Sequence, residues 1–418
     1  MRSREKVLTA LAHRSGAVPV DFGSTPVTGM HVSCVEALRA HYGLEKRLVK
    51  VHEPYQMLGW IEDDLLDAAG IDTAATMPAG SMFGFAPKDW KEWRTPWGQE
   101  VLVPGAFNTT RDGDDVVIYP EGDTSAPPSA RMPSNSFFFD SIIRQDPVDD
   151  DRLDPADNLE DFTLISEEDL AHLQAEASRA RAGGRAVVAG IGGLGFGDIA
   201  LVPAPFLRRP KGIRDVAEWY ISVATRRDYV RKVFEGQLEV ALKNLERAHR
   251  ALGDRVDVLY VCGTDFGTQA SQFCSAATFR DLWLPCYRAV NDWVHRHTSW
   301  KTFKHSCGAI GPFLPSLIEA GFDIINPVQC SATGMDPRDL KARFGERIVF
   351  WGGGVDTQRV LPFGTKDEVR RQVLERCEIF SSGGGFVFDS IHNVQALTPV
   401  ENIVAMLDAV REFNRGRA

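Results

Sequence analysis

The chain has 418 residues, 44% of them hydrophobic and 25% charged, an ordinary globular mixture with enough apolar material for one large core. With 47 basic and 57 acidic residues the net charge is −10, which argues against nucleic acid as a main partner because phosphate binding needs a basic face. No stretch approaches the roughly 18 uncharged apolar residues of a membrane span, and Met1-Arg2-Ser3-Arg4-Glu5-Lys6 leads into an amphipathic helix rather than a secretory segment. A cytoplasmic protein without a membrane partner is expected. Cysteines 34, 262, 274, 286, 307, 330 and 377 are odd in number and lack a framework spacing, which fits reduced thiols.

Short β-branched apolar runs recur along the chain, each followed by Gly, Pro, Asp or His and then by a segment of helical periodicity. They are Val18 to Phe22, Ile71 to Met77, Ala186 to Ile191, Val256 to Val261, Lys301 to Lys304, Phe322 to Ile325, Ile348 to Trp351 and Phe386 to Phe388. Near-continuous hydrophobic strands alternating with helices imply a parallel sheet covered on both faces. Eight such units point to an α/β fold of the (β/α)8 barrel type, one domain over 1–418, although an open doubly wound sheet uses the same local signals.

Between residues 85 and 180 the alternation fails, and Trp90, Trp93, Trp97 and Phe137-Phe138-Phe139 mark an insertion. Within it Gln99 to Val103 and Asp115 to Tyr119 are expected to pair as a small hairpin, and Ser166-Glu167-Glu168-Asp169 to open a helix. The aromatic residues fit either a lid over a substrate or a hydrophobic cluster under a long loop. Tyr229 to Leu252 carries apolar residues on one face, with Gly253 as its stop, and reads as a barrel-covering helix. Thr365-x-x-Glu368 and Thr398-Pro399-Val400-Glu401 read as capping boxes of two late helices.

In parallel α/β proteins ligands bind beyond the carboxyl ends of the strands, so the residues after each run are the candidates for chemistry. His305 and Cys307 close the fifth run; in extended backbone side chains i and i+2 share a face, so an imidazole and a thiolate can reach one Zn²⁺ at about 2.0 to 2.3 Å. Cys330 follows the sixth run and His392 the eighth, which puts four potential zinc ligands on one rim. Asp21, Asp265 and Asp356 follow the first, fourth and seventh runs as candidate catalytic acids, and each also fits a helix cap or turn. Gln329, Asn326 and Phe266 beside these ends are the candidate substrate contacts. Cys330 also fits a small buried core residue, and His392 a bridge between backbone groups. Gly192-Gly193-Leu194-Gly195-Phe196-Gly197 lacks the Lys-Ser/Thr ending of a phosphate loop and reads as a strand-to-loop turn.

Several segments together resemble the uroporphyrinogen decarboxylase superfamily along nearly the whole chain. They are Arg4 to Leu11 with Val18-Pro19-Val20-Asp21, Lys304-His305-Ser306-Cys307-Gly308, Gly321 to Gln329, Gly352-Gly353-Gly354-Val355-Asp356, and the closing Gly384-Gly385, His392 and Thr398-Pro399-x-Glu401-Asn402. The resemblance implies a single (β/α)8 barrel and two competing chemistries. True uroporphyrinogen decarboxylases carry an early arginine-rich segment for the substrate's carboxylates; here the corresponding Pro19 to Pro26 holds no arginine, so bidentate clamping is missing. The zinc-dependent, corrinoid-linked methyltransferases are similar in having His-x-Cys, here His305 and Cys307, and complete their site with a late cysteine whose position is His392 here; His392 also matches a histidine of the decarboxylases, so the resemblance implies either a zinc ligand or a substrate contact there. The methyltransferase reading implies Zn²⁺ held by His305, Cys307 and either His392 or Cys330, a methylcorrinoid on a separate carrier protein, and a thiol or folate-type small-molecule acceptor. The alternative is a cofactor-independent decarboxylase acting on a porphyrinogen or a smaller carboxylated substrate. The resemblance also makes a homodimer an expectation.

Overall fold

The computed structural model describes residues 2–417. Seven parallel strands form one sheet: β1 Thr73–Thr76, β2 Ala186–Gly190, β3 Val258–Cys262, β4 Lys301–His305, β5 Ile324–Asn326, β6 Val349–Trp351 and β7 Phe386–Val387. Each is hydrogen-bonded to its sequence neighbour, in the order β7-β6-β5-β4-β3-β2-β1. Residues 18–22 join the two edges. Asp21 N donates to Phe388 O at 2.9 Å, Phe388 N to Pro19 O at 2.8 Å, and Asp72 N to Val20 O at 2.8 Å. All eight apolar runs therefore lie in one closed barrel, and the open-sheet alternative is set aside.

Helix Ser3–Leu11 closes the barrel floor: Val7, Ala10 and Leu11 pack with Ala186, Val188, Val258, Phe303, Ile324, Val349, Trp351 and Val387, the inward residues of the strands. Two ion pairs pin it there, Arg4 with Asp257 at 2.8 Å and Lys6 with Asp72 at 3.0 Å, and both acids stand just before a strand. With the amino-terminal ends of the strands sealed, ligands have access from the carboxyl ends. Phe303 points inward, so His305 two residues later points inward as well, at the mouth.

Covering helices include α1 Glu167–Ala182, α2 Arg227–Leu252, α3 Ala276–His297, α4 Lys366–Ser381 and α5 Val400–Asn414. Ser166 caps α1 by accepting from Asp169 N, and Thr365 with Glu368 forms the expected capping box of α4. The second expected box does not form. Pro399 occupies the cap position of α5 without a side-chain bond, because the Thr398 hydroxyl is spent on Gln395 O at 2.8 Å. No helix among the described residues is long and apolar enough to cross a membrane.

The irregular region is smaller than 85–180 suggests, since α1 packs on β1 and β2 and against α2 as part of the barrel wall. Its strands also pair differently from expectation. Glu100–Val103 pairs with Lys91–Arg94, and Asp115–Ile118 pairs with Thr109–Asp112 on one side and Ala130–Met132 on the other. Gly98 at φ 89° and Gly113 at φ 62° supply tight local turns, and local closure wins over the longer loop that the expected hairpin needed. Phe83, Phe85, Phe107 and Phe139 are buried and continuous with the main core, so these rings act as packing.

Candidate metal centre

The turn after β4 is held by both neighbouring strand ends. Asp265 Oδ1, from the loop after β3, accepts the Cys307 N–H at 2.6 Å, and Ser306 Oγ accepts from Phe266 N at 2.9 Å. From the β5 side, Asn326 O accepts Ser306 N at 2.8 Å and Gln329 Oε1 accepts Gly308 N at 2.7 Å. Gly308 sits at φ 86°, and a Cβ there would lie 2.3 Å from the Gly267 backbone, so only glycine allows this close approach. The turn carries His305 Nε2 to 3.3 Å from Cys307 Sγ.

The loop after β7 brings the third group. His392 lies at φ 71°, a left-handed conformation that costs a non-glycine residue on the order of 1–2 kcal/mol. Neighbours hold it: Ser390 Oγ donates to His392 O at 2.6 Å, and Asn393 Nδ2 donates to Pro26 O at 3.0 Å and to Gln56 Oε1 at 2.8 Å. The His392 and His305 rings meet edge to face at 5.2 Å. One donor atom from each of His305, Cys307 and His392 lies within 4.8 Å of the others.

Burial decides the charges in this mouth. It lowers His305 to about 3, helped by Lys304 and opposed by the bond to Asn326; it lowers His392 to about 4, with the His305 charge adding and Asp265 opposing. Both rings are therefore neutral near pH 7, the form a metal requires. Burial, then the Asp265 charge, raises the Cys307 thiol well above its ordinary range. A divalent cation reverses that last preference, since a coordinated thiol is deprotonated. Two neutral imidazoles and a thiol within this span fit Zn²⁺ with one position left open. His392 fits after one adjustment: its Nδ1 accepts the Asn393 N–H at 2.8 Å, so its Nε2 carries the proton until that bond is released.

The remaining candidates divide. Asp265 is at the site, 3.7 Å from His305 Nε2, with its carboxyl raised by burial against the pull of Cys307 N–H and Lys304. Gln329 and Asn326 hold the His-x-Cys turn rather than face open space. Cys330 stands outside the cluster: its thiol donates to Val328 O at 3.3 Å, and the charges acting on it are Arg376, Asp336 and Asp356. Asp356 accepts Gln358 N at 2.7 Å and Arg359 N at 3.3 Å, the turn-forming role. Asp21 is buried, and its carboxylate accepts from Ser24 Oγ at 2.7 Å, Trp351 Nε1 at 2.8 Å and Thr73 Oγ1 at 2.5 Å, leaving little capacity for substrate. Phe266 faces away from the mouth, its ring against Phe279 at 4.9 Å and Trp283 at 5.2 Å under α3.

Sequence reasoning missed three groups. Asp198 is buried, and burial with the Asp265 charge raises it to about 6; a Cβ at Gly263 would lie 3.5 Å from its Oδ2 and 3.9 Å from His305 Cδ2, so the two flank one spot. The Tyr260 hydroxyl borders the same spot, 2.7 Å from that Cβ position. Asp389, directly after the eighth apolar run, is fully buried with Oδ2 unpartnered. The strand-end rule that selected Asp21 selects Asp389 equally well, and reading past the glycine run after β2 reaches Asp198.

Over 78 residues the chain is 32% identical to the uroporphyrinogen decarboxylase of Janthinobacterium sp. (strain Marseille), which is 18% of this chain and 21% of that protein. The match thus spans about a fifth of that relative's length. The solved structure of a methyltransferase from Methanosarcina mazei aligns over 99% of both chains with a TM-score of 0.55 at 13% identity, a likeness of fold. Residues 258–413 match the family model described as uroporphyrinogen decarboxylase (URO-D), the stretch that supplies His305, Cys307 and His392.

Proposed function

We propose that this protein is a zinc-dependent methyltransferase that moves a methyl group between a methylcorrinoid on a separate carrier protein and a thiol or folate-type acceptor. The observation that carries the reading is the convergence of His305, Cys307 and His392 at the carboxyl end of a closed barrel. The fold likeness to a methyltransferase along the full chain is consistent with it. Zn²⁺ bound here supplies charge that keeps an incoming thiol deprotonated and therefore nucleophilic near neutral pH.

The chain's own residues do the rest. His305 and Cys307 bind from a turn fixed by four hydrogen bonds to neighbouring strand ends. Asp265, raised by burial and adjacent to both, is placed to receive the proton the acceptor loses. Asp198 and Tyr260 stand beside His305 around Gly263, within reach of an acceptor held at the mouth.

The decarboxylase reading draws on the name of the matched family and relative. Against it, Asp21, one of the two acids, with Asp265, expected to stabilise a protonated intermediate, is saturated by protein donors. The test is demethylation of methylcobalamin by the purified protein with thiol acceptors, with and without zinc. Zinc-restored transfer that disappears in Cys307→Ala supports methyl transfer. Release of CO₂ from a carboxylated substrate that survives complete chelation refutes it.

A further inference from the structure

Asn326, the last residue of β5, is fully buried and lies between the Trp351 carbonyl and the His305 ring. Its Nδ2 stands 2.8 Å from the Trp351 carbonyl oxygen, which can only accept. With the nitrogen turned that way, Oδ1 faces the His305 ring, 2.5 Å from Nδ1. An amide oxygen has no proton to give, so His305 Nδ1 carries the proton and Nε2 keeps its lone pair. Nε2 is the nitrogen 3.3 Å from Cys307 Sγ.

His392 shows what happens without such a partner. Its Nδ1 accepts a backbone N–H, and its Nε2 is protonated. The Asn326 amide nitrogen reaches across to β6; among the described residues its oxygen is bonded to His305.

We propose that Asn326 is a positioning residue that accepts the Nδ1 proton of His305, holds Nε2 free for a metal and thereby sets the affinity of the site. The proposal rests on the zinc reading of the His305, Cys307 and His392 cluster. A partner of this kind fixes both tautomer and ring orientation, and its loss typically weakens metal binding by roughly 10- to 100-fold.

The test pairs two measurements on the full chain. Nitrogen-15 NMR of the metal-free protein reads the His305 tautomer, and competition with a chromophoric chelator reads zinc affinity. Wild type should show Nδ1–H. Asn326→Leu should show a tautomer mixture and roughly 10- to 100-fold weaker zinc binding, and Asn326→Asp, which keeps an acceptor in place, should retain the wild-type tautomer. An Nε2–H form in wild type overturns the proposal, as does a folded Asn326→Leu with wild-type zinc affinity. If Asn326→Leu does not fold, the wild-type tautomer decides. If wild type binds no zinc through Cys307, the zinc reading falls, and the tautomer change in Asn326→Leu alone decides the role of Asn326.

Discussion

The two loops that build the candidate metal centre are made in opposite ways. The turn after β4 uses relaxed backbone, with glycine at its one left-handed position, and neighbouring strands satisfy its amides. The loop after β7 places a histidine at φ 71° and holds it with a polar chain running through Asn393 and Gln56 to Glu53, whose carboxylate accepts Gln56 N at 2.8 Å. One loop presents its ligands already set, His305 in the required tautomer beside Cys307. The other presents a ring that must release Asn393 N–H before its Nε2 can bind. A metal site assembled from such halves would bind first through the rigid pair and be completed by the adjustable residue.

The largest effects test that ordering. Cys307→Ala should abolish zinc binding measured by metal analysis, whereas His392→Ala should leave weakened but detectable binding through the remaining pair. Equal, complete loss in both would erase the distinction between the loops. Phe266→Ala, behind the rigid turn, should cost about 3–5 kcal/mol in denaturant unfolding because its ring is enclosed by Phe279, Trp283 and Phe313. Zinc affinity per folded molecule should persist, since the Phe266 N–H that holds Ser306 remains.

A pH experiment addresses the other loop. Burial raises Glu53 from its ordinary 4.5 to about 7. Between those values the folded state holds a proton the unfolded chain has lost, so this group's contribution to stability is full below 4.5 and fades as pH rises through 7. Each unit of displacement is worth about 1.4 kcal/mol. Glu53→Gln should therefore gain stability over wild type as pH increases through this window, read as the difference in melting temperature; a pH-independent difference would remove Glu53 from the account. Smallest of all is Cys330→Ala, which should leave zinc stoichiometry unchanged.

The barrel was legible because parallel strands buried on both faces must be continuous apolar runs, and all eight were visible, including Val18 to Phe22, which pairs only through a few bonds. The gathering of His305, Cys307 and His392 was legible for a related reason: strand ends of one barrel share one mouth. Side-chain direction was not legible beyond that. Phe266 follows a strand as Asp265 does, yet turns under α3, because aromatic surface finds its partners there. Cys330 follows β5 in the same manner, and its thiol is drawn to its own backbone. Asn326 read as a substrate contact because nothing in sequence shows that its oxygen is already committed to a histidine from the preceding strand.

The most direct test is zinc K-edge X-ray absorption on the zinc-loaded protein. The account expects one sulfur at about 2.3 Å and two imidazole nitrogens at about 2.0–2.1 Å. Two sulfurs would bring in a second cysteine in place of His392, and a shell without sulfur would contradict the site itself.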